Sequence, residues 1–181
     1  MSVRLGTVAA LAWLVLIAAA PSEPDGYRMN DYRSPTPASL HGAEVIGTDQ
    51  ACALWHAKSA TFVDVLPQAP KPTNLPANTI WREKPRDDIP GSIWLPDTGY
   101  GTLAPAMEAY FAAGLARVSD GRKDSTLVFY CLPDCWMSWN AAKRALALGY
   151  SHVDWYPEGT EGWQNAGLPL ERRAPEPRPA P

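Results

Sequence analysis

The sequence predicts an α/β fold with a mostly parallel central sheet flanked by helices. Three observations carry this prediction. Strand-like and helix-like segments alternate from residue 44 to residue 166. Residues 126–130 form a continuous apolar run of strand length, as expected of a strand buried on both faces. A helix predicted over residues 139–148 follows that strand after a short loop, which is typical of an α/β layer.

Local patterns predict the individual elements. A short strand at 44–46 precedes a helix over 49–58, with Thr48 as its N-cap. Cys52 lies on that helix and is interpreted as a core residue. The β-branched and aromatic run at 61–66 predicts the next strand. The remaining elements are a strand at 93–95, a helix at 104–116, the strand at 126–130, the helix at 139–148 capped by Ser138 and closed by Gly149, a strand at 152–155 and a helix at 161–166.

Proline divides the rest of the chain, with 19 in 181 residues. Residues 67–90 are the most proline-rich stretch, and we predict no regular element there. A loop of this length in a compact domain is usually functional or a partner surface. Residues 23–42 are predicted to be an extended lead-in, and residues 171–181 a disordered proline-rich tail. The folded domain is therefore expected over residues 43–170.

The N-terminus predicts export. Arg4 precedes a short apolar run that ends in Ala18-Ala19-Ala20, the pattern of a secretory signal peptide over residues 1–20. Cleavage after Ser22 is an alternative, and an uncleaved anchor is a second one, although the run is shorter than the roughly 20 residues that span a bilayer. No cysteine lies there to carry a lipid. We therefore expect a periplasmic protein with no membrane span after cleavage.

Composition excludes several classes of function. The formal net charge of −3 argues against a nucleic-acid partner. An apolar fraction of 46% with 19% charged residues is enough to build a core. Three cysteines are too few for a disulfide-dense mini-protein. His41, His56 and His152 have no metal-ligand spacing to one another, so no metal site is predicted from them.

Cys131 is the first candidate reactive residue, because it ends the buried strand and lies ahead of a helix. Open α/β sheets bind ligands outside the carboxyl ends of their strands. A helix N-terminus offers unpaired N–H groups and the positive end of a dipole, which favour a thiolate over a thiol. We expect residues 132–137 to wrap the sulfur in a cradle of backbone amides.

Cys135 makes the pair the main feature of the sequence. In an exported protein, two thiols in one loop can form an inert disulfide, act as a redox dithiol or bind a soft metal. Trp136 is placed beside the sulfurs, and Asp134 is interpreted as a solvated loop residue. The predicted site comprises Cys131 and Cys135 as reactive residues, with the loop residues Leu132, Pro133, Asp134, Trp136, Met137 and Ser138 around them.

Several motifs, in the right order, resemble the rhodanese-like fold over about residues 43–170. They imply a cysteine nucleophile at the end of the central strand. The motifs are Phe62-Val63-Asp64-Val65, Ile89-Pro90-Gly91-Ser92-Ile93-Trp94-Leu95-Pro96, Val128-Phe129-Tyr130-Cys131, Gly149-Tyr150, and Gly159 with Trp163 and Ala166-Gly167-Leu168-Pro169.

A closer resemblance is to the exported rhodanese-like family of PQQ-dependent catabolism-associated CXXCW motif proteins. It rests on residues 27–33, 74–77, 95–101 and 129–140, although the two cysteines here are separated by three residues. The resemblance implies an association with periplasmic PQQ-dependent alcohol oxidation. A PQQ-dependent dehydrogenase or its cytochrome c is then the candidate partner. PQQ belongs to that pathway, and we expect no cofactor on this chain.

The departures from the rhodanese pattern concern arginine. Sulfurtransferase loops usually run Cys-x4-Arg and phosphatase loops Cys-x5-Arg, but those positions hold Trp136 and Met137. Leu66 also replaces the arginine that ends the family's IDVR strand. The guanidinium that would bind a sulfonate or phosphate in a bidentate fashion is therefore missing from the loop. This argues against both thiosulfate turnover and phosphate hydrolysis.

The residues leave three functions open. In the first, Cys131 attacks a sulfur compound and Cys135 resolves the resulting persulfide or mixed disulfide, as a sulfurtransferase or thiol oxidoreductase. In the second, the domain is a non-catalytic binding module whose 67–90 loop docks the dehydrogenase or cytochrome. In the third, the two cysteines deliver a soft metal, with Met137 as a neighbour.

Overall fold

The computed structural model describes residues 20–70, 72–76, 78–80 and 84–178. The predicted signal peptide lies outside these residues, apart from Ala20, and stays a prediction. In the part of the chain that is described, no helix is long and apolar enough to cross a membrane.

A five-stranded parallel sheet with the order β1-β6-β5-β2-β4 forms the centre of the domain. The α/β prediction is confirmed. The strands are β1 (Glu44–Val45), β2 (Thr61–Asp64), β3 (Arg86–Asp88), β4 (Ile93–Trp94), β5 (Leu127–Tyr130), β6 (Val153–Tyr156) and β7 (Glu171–Arg173). The helices are α1 (Thr48–Ala57), α2 (Pro105–Val118), α3 (Trp136–Ala147) and α4 (Gly159–Asn165).

The apolar run of β5 is buried on both faces, as its composition predicts. Successive side chains of a strand point to opposite faces. Leu127 and Phe129 accordingly join the core cluster that includes residues of α2 and α3. Val128 and Tyr130 join the second cluster, on the opposite face of the sheet, which includes residues of α1 and α4. Helices cover both faces, so the end of β5 lies at the centre of one edge of the layer.

Two helix starts differ from the prediction. Helix α3 begins at Trp136 with Cys135 as its N-cap, not after Ser138. Helix α1 begins at Thr48 with Gly47 as its N-cap. Thr48 does not cap this helix, because its hydroxyl hydrogen-bonds Tyr156 and Glu158 instead. Both differences arise from tertiary partners that local propensity does not reveal.

A second, two-stranded sheet corrects two predictions. Strand β3 falls within the proline-rich stretch and pairs antiparallel with β7, which falls within the predicted disordered tail. Neither strand contains proline, so both can donate and accept ladder hydrogen bonds. Beyond β7, the N–H of Glu176 donates to the carbonyl of Trp94 on edge strand β4. The described part of the tail is therefore packed against the domain.

Candidate thiol site

Cys131 directly follows β5, and its side chain is fully buried, with 0% exposure. Its Sγ lies 3.2 Å from Ser138 Oγ and 3.5 Å from the carbonyl oxygen of Cys135. The Ser138 hydroxyl also accepts the indole N–H of Trp155 and donates to that same Cys135 carbonyl. The sulfur of Cys131 is therefore enclosed between the Ser138 hydroxyl and the carbonyl of Cys135.

Cys135 occupies the N-cap of α3 and is 2% exposed. The pKa of the Cys135 thiol is lowered to about 6, with a hydrogen bond from Cys131 as the largest cause. The backbone N–H of Met137 and the guanidinium of Arg33 contribute to the same shift, and burial opposes it. A helix N-terminus stabilises a negative sulfur for the same reason that it stabilises any anion. The donors around Cys135 therefore favour its thiolate form.

The prediction places the helix N-terminus beside Cys131, whereas in the structure the residue that caps this helix is Cys135. Burial raises the pKa of Cys131 well above its usual range, and its contact with Cys135 adds to that effect. The helix starts three residues earlier than predicted, and of its first N–H groups that of Met137 acts on Cys135. Both cysteines are free thiols in this structure.

The predicted loop residues divide into two groups. Leu132 and Pro133 are half-buried, and Asp134 is exposed with a left-handed φ of 49°. The remaining three lie in the first turn of α3 instead of in a loop and are buried: Trp136, Met137 and Ser138. The predicted cradle of free amides is also incomplete, because the N–H of Trp136 donates to the carbonyl of Tyr32 at 2.9 Å.

A segment of the lead-in covers this turn, and we call residues 27–39 the strap. Arg33 forms an antiparallel bridge with Cys135. Asn140 binds both the N–H and the carbonyl of Arg28, at 2.8 and 2.9 Å. The indole N–H of Trp136 donates to Pro35 and Ser34, and that of Trp139 donates to the carbonyl of Ser39. The strap is held by side chains of α3 along its length, and it lies over the cysteine pair.

Arg33 brings a guanidinium to the site that the cysteine loop itself lacks. Its Nη1 donates to the carbonyl of Pro133 at 2.8 Å, inside the cysteine loop. Arg33 was not among the predicted site residues, because it lies far along the chain from both cysteines. The one sequence feature that could have indicated Arg33 is the 27–33 motif, and that motif supported a family resemblance without assigning a chemical role to any of its residues.

A buried polar cluster lies under the carboxyl ends of β2 and β5. Arg86 Nε binds Asp64 at 2.6 Å, and its Nη2 lies 3.5 Å from the Cys131 carbonyl. Tyr130 donates to Asp88, whose second oxygen is buried without a hydrogen-bond partner. Burial raises the pKa of Asp88 to about 8, and the neighbouring Asp64 adds to the shift. Arg86 thus forms an ion pair with Asp64 of β2. This guanidinium comes from β3, whereas the IDVR strand of the family carries an arginine at the position that Leu66 holds here.

Gly159 fixes the opposite side of the cysteine loop. It has a φ of 56°, and a Cβ there would collide with the carbonyl of Cys131. That carbonyl accepts the N–H of Thr160 at 3.1 Å. Glycine is therefore required where α4 meets the end of β5.

A cavity of about 430 Å³ opens at the same edge of the sheet. Its lining includes Leu66, Trp94, Arg86, Leu132, Thr160 and Gln164. Of the described residues of the cysteine loop, Leu132 lines this cavity and neither cysteine does. The described residues contain no group of three or more histidine, cysteine or acidic side chains that could hold a metal ion.

The rhodanese-like domain family model matches residues 53–166, which is more than half of the chain. The chain belongs to the rhodanese-like family. The rhodanese-like fold prediction is therefore confirmed. No curated protein matched the chain in a sequence search.

Solved structures share the rhodanese-like fold at low identity. A thiosulfate sulfurtransferase from Pseudomonas aeruginosa is 18% identical with a TM-score of 0.50, over 76% of this chain and 22% of that one. EanB in complex with ergothioneine is 20% identical with a TM-score of 0.51, over 79% of this chain and 34% of that one. The chain therefore matches about a fifth to a third of the length of these proteins. The likeness shows the fold.

Within this rhodanese-like domain, the structure brings together most of the predicted site. Cys131, Cys135 and Ser138 are in direct contact, and Trp136 packs beside them under the strap. Leu132 turns toward the cavity, and Asp134 faces solvent as predicted. What differs is the assignment of chemistry within the pair, and the guanidinium, which comes from the strap.

Proposed function

We propose that this rhodanese-like protein carries out thiol chemistry on sulfur compounds, with Cys135 as nucleophile and Cys131 as resolving thiol. The observation that carries the proposal is the asymmetry of the pair. Cys135 has the helix N-terminus, the Met137 N–H and Arg33 around it, whereas Cys131 is a fully buried thiol held at Ser138. A nucleophile near its pKa at neutral pH with a resolving thiol alongside is what disulfide exchange requires.

The exchange balances as two thiolate displacements. Cys135 thiolate attacks one sulfur of a substrate disulfide, forms a mixed disulfide and releases one thiolate. Cys131 then gives its proton to the released thiolate and attacks the Cys135 sulfur. This forms the Cys131–Cys135 disulfide and releases the second substrate half as a thiolate. The pair is oxidised by two electrons and the substrate is reduced by two. A dithiol reductant returns the pair to two thiols. With a sulfane-sulfur donor, the Cys135 thiolate takes the outer sulfur as a persulfide, and the donor's sulfur–sulfur bond breaks to release the rest of the donor as an anion. Cys131 then attacks the inner sulfur of Cys135, forms the disulfide and displaces hydrosulfide.

The cellular setting is also a proposal. We place the protein in the periplasm, in association with PQQ-dependent alcohol oxidation, with a PQQ-dependent dehydrogenase or its cytochrome c as partner. The N-terminal signal pattern supports the compartment, and the motif resemblance over residues 27–33 and 129–140 supports the association. PQQ stays with the partner.

The second candidate is a non-catalytic binding module, which the burial of the sulfurs favours. Cys131 and Cys135 are 0% and 2% exposed beneath the strap. A substrate reaches them when the strap shifts from α3. In the binding-module hypothesis the strap stays closed and the cysteines are core residues.

Trapping of the first intermediate separates the two hypotheses. Reduced Cys131→Ser protein, treated with a small neutral disulfide, should accumulate a mixed disulfide on Cys135 by tandem mass spectrometry. Cys135→Ser should accumulate none on Cys131, and Cys52→Ser should behave as the unmodified protein. Wild-type protein should end as the intramolecular disulfide. An adduct on neither site residue, with no disulfide in the wild type, would establish the binding module instead.

A further inference from the structure

We propose that Arg33, on the strap, makes the Cys135 site selective for anionic sulfur compounds. This inference rests on the proposed function, because it assigns the substrate class of the same nucleophile. The substrates are disulfides or thiosulfonates that carry a carboxylate or sulfonate next to the reacting sulfur. Arg33 acts as a specificity-determining residue from outside the cysteine loop.

The position of Arg33 is set by two backbone contacts. Its main chain bridges that of Cys135, so the side chain leaves the strap at the level of the nucleophile. Its Nη1 is held by the carbonyl of Pro133 at 2.8 Å. A guanidinium has five N–H donors in a planar fork, and this bond uses one edge. The residue is otherwise exposed, so the donors that bind neither Pro133 nor Cys135 are available to a ligand that approaches the nucleophile.

The charge of Arg33 has no carboxylate partner among the described residues. By contrast, Arg28, Arg86 and Arg117 pair with Asp31, Asp64 and Glu176. A guanidinium that has no carboxylate partner and lies next to the nucleophile attracts an anionic substrate and stabilises the charge that develops on the leaving sulfur.

The other cations near α3 are already occupied. Lys143 binds the carbonyl of Pro24 at 3.1 Å and lies over the ring of Trp139. Arg144 is buried and binds the carbonyls of Thr98 and Tyr100, both at 2.8 Å. Among the described residues near the first turn of α3, Arg33 is therefore the cation that can still bind a ligand.

The step that Arg33 assists conserves atoms and electrons. The Cys135 thiolate displaces one half of an anionic disulfide, a new sulfur–sulfur bond forms at Cys135, and the other half leaves as a thiolate with the electron pair. Arg33 binds the carboxylate of the substrate and takes no part in proton transfer.

Two chromogenic disulfides test the selectivity: dithiobis(nitrobenzoate), which is anionic, and dithiodipyridine, which is neutral. The readout is the ratio of their second-order rates at Cys135 in a full-length Cys52→Ser background, with the site confirmed by tandem mass spectrometry. A ratio taken within one variant cancels any change in how often the strap opens. Arg33→Gln should lower the ratio by about fivefold, the size expected for a partly solvated charge pair. Arg33→Lys should retain most of it, and Arg172→Gln, which removes an exposed charge on β7, should leave it unchanged.

The experiment distinguishes a failure of the Arg33 inference from a failure of the proposed function. An unchanged ratio in Arg33→Gln overturns this inference and leaves the proposed function standing. An equal rise of both rates in that variant also overturns it, because it shows that Arg33 only fastens the strap. If neither reagent modifies Cys135 in the parent protein, the proposed function fails and takes the inference with it.

Discussion

The backbone N–H of Trp136 donates a 2.9 Å hydrogen bond to the carbonyl of Tyr32. The bond joins the first residue of α3 to the strap, so a helix N-terminal donor that could have faced a ligand is satisfied by another part of the chain. The cysteine loop is consequently closed from one side by residues far from it in sequence.

Loosening the strap should expose Cys135. Asn140 is buried and binds the backbone of Arg28 on the strap and the carbonyl of Gly99. Asn140→Ala leaves these groups unpaired and should cost about 1–3 kcal/mol of unfolding free energy. The rate at which a neutral alkylating reagent modifies Cys135 should rise severalfold. Denaturant titration and alkylation kinetics measure the two effects, with the exposed Asn165→Ala as control. A loss of stability without faster alkylation would show that the strap does not limit access.

The ionisation of Cys135 should depend on Cys131. The pKa of Cys135 is lowered to about 6, with the hydrogen bond from Cys131 as the largest cause. The pH profile of iodoacetamide reactivity at Cys135 should therefore have its midpoint near that value. In Cys131→Ala the midpoint should move upward, because the principal donor to the thiolate is gone while burial still favours the thiol. Ultraviolet absorbance of the thiolate gives an independent titration. An unmoved midpoint would assign the lowered pKa to the helix N-terminus and Arg33 alone.

Asp88 should make the protein less stable as the pH rises. The pKa of its buried carboxyl is raised to about 8, whereas the ordinary value is 3.8. The folded state therefore holds a proton that the unfolded chain releases between these values. Stability from this group is complete below about pH 4 and is lost as the pH rises through about 8. Asp88→Asn should flatten that fall, by on the order of 1–3 kcal/mol across the window. Exposed Asp87→Asn is the control, and denaturant titrations from about pH 5 to 9 are the measurement. Equal slopes for the two variants would rule Asp88 out as the cause.

Gly159→Ala should disturb the site more than other left-handed glycine substitutions. At Gly159 an alanine has both an unfavourable φ and a collision with the Cys131 carbonyl. Gly167 has a φ of 74° and open space where a Cβ would be added, so Gly167→Ala isolates the φ cost of about 1 kcal/mol. Gly159→Ala should lose clearly more unfolding free energy and should also change the alkylation rate of Cys135. Equal losses in thermal or denaturant unfolding would mean that the backbone relaxes around the added carbon.

Much of the architecture was predictable because its signals are local. The β5 segment has no polar residue to place in solvent, so only a two-sided burial suits it. The alternation of strand and helix patterns then leads to a parallel sheet. The same reasoning placed the cysteine pair at the end of this strand and selected Trp136 and Ser138 as its neighbours. Strands β3 and β7 were missed, because each is only three residues long and is stabilised by pairing with the other.

By itself the sequence determined the fold class, the position of the cysteine pair and the absence of an arginine from its loop. Only the tertiary structure decided which cysteine caps the helix and where a guanidinium comes from. A pKa depends on burial and on the donors that surround the sulfur. For Cys135 those donors include Met137 in its own helix and Arg33, which the strap brings from the far end of the chain.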